Sequence, residues 1–301
     1  MHQTVVPTIL GLGSKLPEGV RKNDDPIFAY LNQLEKFIEG NVTAFDKMTP
    51  EVEYDLLNSW GFLGGKGSSG KPPSPFYGYE TRHVLTQEEH LIDIMKPAAE
   101  EALETADLVP EQIDMLLGCA SVSKFIVPSD LYELHKQLAL PASTLAVPLG
   151  NDFSNFNVAL VLADSLIRTG RASNILIASG GNWSRAVDYH TLQAYSAGDG
   201  AAAAVLGPEA KQRWQTWRVI DEEVLAVSAN FGSMYLAEVM HAERTNRLHR
   251  FTPEGRTPWQ WPGMPVSELS SAPCFYITPK GFGEFGAFGA LRAWEPAVKL
   301  L

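Results

Sequence analysis

Apolar and polar positions follow two different rhythms along this chain. Residues 4–10, TVVPTIL, are almost continuously apolar and read as a strand followed by a glycine turn. Residues 24–58 carry mixed helical signals, and 59–78, SWGFLGGKGSSGKPPSPFYG, is a Gly/Ser/Pro loop. A capping box at Thr86 and Glu89 then predicts a helix start. Leu91, Met95, Ala98 and Ala102 form its apolar stripe at helical spacing. IDMLLGCAS (113–121) reads as a buried strand, and SDLYELHKQLAL (129–140) as an amphipathic helix.

The next helix has a different pattern. In 148–167, PLGNDFSNFNVALVLADSLI, Asn151 or Asp152 can cap the amino end. From Phe156 to Ile167, apolar residues cover almost every side. A helix with no polar face is expected in the interior, and Gly170 is placed to end it in the left-handed conformation. NILIAS (174–179) and AAAAVL (201–206) read as interior strands, with a tight turn at Gly198, Asp199 and Gly200 between them. Strands alternating with helices indicate an α/β architecture. Beyond residue 207 the rhythm weakens. WRVIDEEVLAVSA (217–229) reads as extended, and CFYIT (274–278) as a strand or as the lead-in to a helix at GFGEFGAFGALRAWEPAVKLL (281–301).

Composition narrows the function. With 45% hydrophobic and 20% charged residues, the 301-residue chain can bury a sizeable core. A formal charge of -11 argues against non-specific binding to nucleic acid, which needs Lys and Arg to displace phosphate counterions. Two cysteines, Cys119 and Cys274, make neither a disulfide framework nor a zinc pattern. Both read as small hydrophobes in a reduced, cytoplasmic protein. No apolar run is long enough to span a membrane, because Asp164 interrupts the best of them, and the amino end lacks the pattern of a signal peptide.

Two glycine motifs fail on context. GKGSSGK (65–71) is followed by Pro72 where a phosphate loop needs Ser or Thr, and PPSP cannot start the helix that would hold a phosphate. GFGEFG (281–286) has no room for the carboxylate that a dinucleotide fold places about 20 residues later. The seven histidines show no paired ligand spacing, so no metal is expected.

Five segments, in order, resemble the ketoacyl synthase III (3-oxoacyl-ACP synthase III) branch of the thiolase-fold condensing enzymes. They are ILGLGSKLPEGVRKNDD (9–25), YGYETRHV (77–84), AAEEALETADLVPEQIDMLLGCAS (98–121), FSNFNVALVLADSLIRTGRASNILIASGGN (153–182) and SAGDGAAAAVLGP (196–208). The resemblance implies a layered αβαβα fold, its first half complete over 1–208 and its second half truncated over 209–301. Residues 24–76 would be an insertion shaping the substrate entrance. It also implies acyl-CoA or an acyl carrier protein as donor, no cofactor beyond the pantetheine thioester of the substrate, and pairing as a homodimer or with a related subunit.

In that family the central helix presents a cysteine at its amino end. Here, Phe156, Ala159 and Leu160 set the register, and the nucleophile position falls on Phe153. A phenylalanine offers no nucleophile. Ser154, the substitute candidate, lies one residue on and about 100° around the helix. By analogy Asn151, Asp152, Asn155, Trp60 and Arg82 are substrate-binding candidates. The family's His and Asn partners have no counterpart here. The resemblance therefore implies either an acyltransferase or an inactive thiolase-fold partner of an active homologue.

Overall fold

The computed structural model describes residues 7–29, 32, 79–123, 127–150, 154–187, 189, 192–208, 234–238 and 273–277. The chain divides into two compact units. One holds residues 1–20, 83–183 and 198–222; the other holds 21–82, 184–197 and 223–301.

The first unit is built on a five-stranded sheet, with strands in the order β1, β7, β6, β4, β5. These are β1 (Thr8–Lys15), β7 (Asp199–Gly207), β6 (Ile175–Asn182), β4 (Met115–Ala120) and β5 (Leu145–Pro148). β4, β5 and β6 are parallel; β7 runs antiparallel to both β6 and β1. β2 (Gly19–Lys22) and β3 (Thr81–Val84) form a two-stranded sheet. In the second unit β8 (Met234–Glu238) pairs antiparallel with β9 (Pro273–Ile277), so the strand expected at 274–278 is present.

Alternation along the strands of the five-stranded sheet gives it two apolar faces. One takes Leu116, Leu176, Ala178, Ala203 and Val205 into a core with helices α1 (Leu91–Thr105) and α2 (Asp130–Gln137). The other takes Leu117, Ile175, Ile177, Ala204 and Leu206 against Ala159, Ala163 and Ile167 of helix α3 (Asn155–Arg168). The first unit thus has three layers, with the sheet between α1 and α2 on one side and α3 on the other. Among the described residues, no helix is long and apolar enough to cross a membrane.

Several local readings are realised. Leu91, Met95, Ala98 and Ala102 are all buried on α1. The helix read at 129–140 is α2, and in the structure Ser129 caps it by accepting from the Leu131 N–H. Gly170 takes φ 68°, with Gly170 N–H donating to the Ile167 carbonyl and Arg171 N–H to the Leu166 carbonyl. That pair of bonds is the glycine-terminated helix end the sequence predicts.

Four readings are corrected. β1 begins at Thr8 and runs straight through Gly11 and Gly13 instead of turning there. A Cβ on Gly11 would lie 2.2 Å from the Ala102 carbonyl oxygen, and one on Gly13 2.1 Å from that of Ala98. The two glycines let α1 lie directly on the strand backbone. Helix α1 starts at Leu91, beyond the predicted cap. The Glu89 carboxylate does accept from the Thr86 N–H, but a second such contact, His90 N–H to Asp93, stands at the helix mouth. The turn expected at 198–200 is the start of β7, which already includes Asp199 and Gly200. There the Asp199 carboxylate accepts from the Leu85 N–H at 2.8 Å. Finally, α3 is not enclosed on all sides. Its buried stripe is Asn155, Ala159, Ala163 and Ile167, while Leu162 is 37% exposed.

The loop at 59–78, the extended stretch at 217–229 and the helix opening at 281–301 lie outside the described residues, as does most of the 24–76 segment.

Candidate functional site

The parity that builds the two cores also places the site. Cys119 is two residues beyond Leu117 on β4, so its side chain faces α3; Ser121 continues the same parity past the strand end. On β6, Ser179 follows Ile177 with the same parity, and Gly181 follows Ser179. On β7, Gly200 and Ala202 share the parity of Ala204 and Leu206. Together these positions surround a cavity of about 400 Å³ next to the amino end of α3. Asn155 and Phe156 close that side, and Leu16 and Trp183 complete the wall.

Local contacts hold the wall in place. Asn182 is buried and clasps the segment after β4 from both sides. Its Oδ1 accepts from the Val122 N–H at 3.2 Å, and its Nδ2 donates to the Val122 carbonyl at 3.1 Å. The Ser121 hydroxyl donates to the Gly180 carbonyl at 3.2 Å. Gly118, directly before Cys119, has φ 153°, and a Cβ there would sit 1.7 Å from the Ala178 carbonyl oxygen. Only glycine lets β4 pass so close to β6, and this sets the depth of Cys119. Cys119 is 7% exposed and forms no disulfide. The Ser179 Oγ is buried and has no hydrogen-bond partner.

A cavity walled by small and aromatic residues, with a few polar groups at fixed positions, suits an apolar chain with a polar head. The amino end of α3 adds partial positive charge on one side, where negative charge is favoured. Ends of parallel strands commonly form such crevices in α/β sheets.

Of the residues singled out in the sequence, Asn155 and Gly200 line this cavity. Ser154 stands at the N-cap position of α3 with no side-chain capping bond and is not one of the lining residues. Phe153, Asn151, Asp152 and Trp60 lie outside the described residues. Arg82 belongs to a separate cluster in the second unit. It is 6% exposed, and its Cζ lies 4.8 Å from the centroid of the Phe28 ring. Its Nε donates to the Tyr195 carbonyl and its Nη1 to Asn23 Oδ1 at 2.7 Å. Its Nη2 has no hydrogen-bond partner. Burial pulls its pKa below the ordinary arginine value, with the neighbouring Arg21 acting in the same direction. Phe28 also packs against Tyr189 and Tyr195, with ring centroids 5.7 and 5.6 Å away.

Cys119, Ser121, Ser179 and Trp183 carry no motif, and sequence reasoning assigned Cys119 to core packing. The usable signal was parity: Cys119, near the end of β4, and Ser179, beside it on β6, lie on the face that α3 covers.

The layers of the first unit are those of a thiolase-like α/β fold. Residues 150–225 match the family model of 3-oxoacyl-[acyl-carrier-protein] synthase III. The beta-ketoacyl-[acyl-carrier-protein] synthase III of Kocuria rhizophila is 31% identical over 133 residues, covering 44% of this chain and 37% of that protein. The protein of the same name from Thiobacillus denitrificans is 31% identical over 131 residues, covering 43% and 41%. The chain thus spans about two fifths of the curated relatives it matches. Among solved structures, the priming beta-ketosynthase of the R1128 polyketide pathway superposes with a TM-score of 0.57 at 15% identity, covering 93% of this chain and 65% of that one. Over these stretches the chain is similar to beta-ketoacyl-[acyl-carrier-protein] synthase III proteins.

Proposed function

We propose that this chain binds acyl groups carried as thioesters on CoA or an acyl carrier protein, in fatty-acid or polyketide-type metabolism. The supporting observation is the cavity at the amino end of α3, whose small and aromatic walls suit an acyl chain and whose polar groups suit its carbonyl head. The pantetheine thioester is the substrate, and no further cofactor is invoked. In this reading residues 1–208 supply the first half of the fold and 209–301 part of the second. The protein works in the cytoplasm and pairs with itself or with a related subunit.

Phe153 at the family's nucleophile position favours a second reading. Loss of a covalent nucleophile commonly lowers turnover by about 10⁴–10⁶. A chain without it serves best as a thiolase-fold partner that completes or gates an active, cysteine-bearing homologue. Titration calorimetry with acetyl-CoA and hexanoyl-CoA tests the shared claim, and saturable 1:1 binding is expected. Phe153→Cys separates the two readings. Acyl transfer to the new cysteine, with none to the wild type, supports the partner reading. Condensation of acyl-CoA with malonyl carrier protein by the wild type supports the enzymatic one. Absence of binding to either thioester overturns both.

A further inference from the structure

We propose that Gly181 and Gly200 select the acyl group: they leave a bare strip of sheet that takes an unbranched chain and turns away a branched one; this rests on the acyl-thioester reading above. The two glycines are register partners across the antiparallel pair β6 and β7, and both line the cavity. They share the parity of Ile177 and Ala204, on the sheet face that carries α3. The fold does not require glycine at either position. Among the described glycines, left-handed backbone occurs at Gly118 and Gly170, not here. A Cβ on Gly200 would meet Leu16 Cδ2 at 3.4 Å and no backbone atom closer than 3.9 Å. A Cβ on Gly181 would meet side-chain atoms first, Trp183 Cδ1 at 3.3 Å and Nε1 at 3.4 Å. At Gly11, Gly13 and Gly118 the same atom would strike a backbone oxygen at 2.2, 2.1 and 1.7 Å. Glycine weakens a strand, and one that packing does not demand marks close approach by a ligand. The space above this pair is the cavity.

The walls beside this strip set the shape it accepts. Trp183 stands next to Gly181 and Leu16 next to Gly200, each so close that a single methyl group on the floor already touches it. Packed carbon atoms sit about 3.5–4.0 Å apart. A polymethylene chain resting on the glycine pair therefore contacts a wall on either side. A methyl branch directed at the indole or at the leucine overlaps it. Selection is made by binding alone, with no covalent step, and it acts through the absence of two side chains that the strands would otherwise carry.

The test uses the full chain and two isomeric thioesters that differ only in shape, hexanoyl-CoA and 4-methylpentanoyl-CoA, in titration calorimetry. The wild type should bind the straight isomer more tightly by about tenfold or more, the scale of overpacking by a methyl group. Gly200→Val should weaken hexanoyl-CoA binding by a similar factor. Its thermal midpoint should stay level or rise, because valine suits a strand better than glycine. Gly181→Ala should act in the same direction. A glycine that serves only the fold gives the reverse, a loss of stability, as expected for Gly13→Ala. Equal affinity of the wild type for the two isomers, or unchanged hexanoyl-CoA binding in Gly200→Val, overturns this inference and leaves the acyl-binding reading standing. So does a midpoint lowered by more than about 5 °C in Gly200→Val, which would assign the glycine to packing. Binding of neither isomer by the wild type overturns both.

Discussion

Cys119 and Ser179 stand opposite each other across the parallel pair β4 and β6, both turned toward the helix α3 face. On the next strand, β7, Ala202 lines the same cavity and is itself exposed. Adding bulk at Ala202 therefore enters empty space instead of packed core. Ala202→Leu is expected to weaken hexanoyl-CoA binding at least tenfold by calorimetry, while the thermal midpoint moves by no more than a few degrees. Unchanged affinity would mean that the acyl group binds elsewhere.

Gly13 tests the contact between helix α1 and β1. A methyl group at this position meets the Ala98 carbonyl at 2.1 Å and the Ala102 nitrogen at 2.6 Å, both of them backbone atoms that cannot rotate away. Gly13→Ala should destabilise the protein by about 1–3 kcal/mol, the range for overpacking a close-packed core. Urea denaturation followed by far-ultraviolet circular dichroism measures this. A change below about 0.5 kcal/mol, typical of a free surface, would contradict the contact.

Asp164 is 6% exposed on helix α3. Its Oδ2 lies 2.6 Å from Arg168 Nε, one turn along, while its Oδ1 has no hydrogen-bond partner. Removing the cation alone leaves a buried charge, whereas replacing both groups removes the desolvation problem. Arg168→Met should cost about 1–3 kcal/mol, discounted from the fully buried case because Arg168 is partly exposed. The double variant Asp164→Leu with Arg168→Met should recover most of that loss in the same denaturation experiment. Equal losses in the single and double variants would refute the pairing.

Arg82 makes use of a planar fork. One nitrogen reaches the Tyr195 carbonyl, another reaches Asn23 Oδ1, and the plane covers Phe28. A lysine keeps the charge but cannot make all three contacts. Arg82→Lys is expected to lower stability by about 1.5–3 kcal/mol, the scale of hydrogen bonds to a charged group. Limited proteolysis should show faster cleavage in the 184–197 segment that Tyr195 belongs to. Wild-type cleavage rates there would refute a clamping role.

Elements governed by local rules were legible in the sequence. The α1 stripe, the α2 helix, the Gly170 helix end and the β6 strand each depend on neighbours a few residues away. Gly11 and Gly13 were misread because a glycine in a turn and a glycine under a helix look alike in one dimension. Only the partner, roughly 90 residues further on, tells them apart. The α3 helix was misread because an apolar surface reports what a helix can bury, not how much cover its surroundings supply. Cys119 was assigned to the core because its apolar neighbours are indeed core. Its distinction comes from where β4 ends relative to α3, which is a tertiary property. The resemblance to the ketoacyl synthase III family was legible in serial motifs.

The glycine contacts bear on how this cavity could change size. Gly11 and Gly13 bring β1 against the backbone of α1 and Gly118 brings β4 against β6, while Gly180 is filled by the Met95 and Leu91 side chains of α1. The sheet therefore has no slack on its α1 side and cannot recede to admit a longer guest. Accommodation has to come from the opposite wall, where Phe156, Trp183 and Leu16 are replaceable. Relatives that accept different chain lengths should therefore vary at those three positions while keeping the glycines.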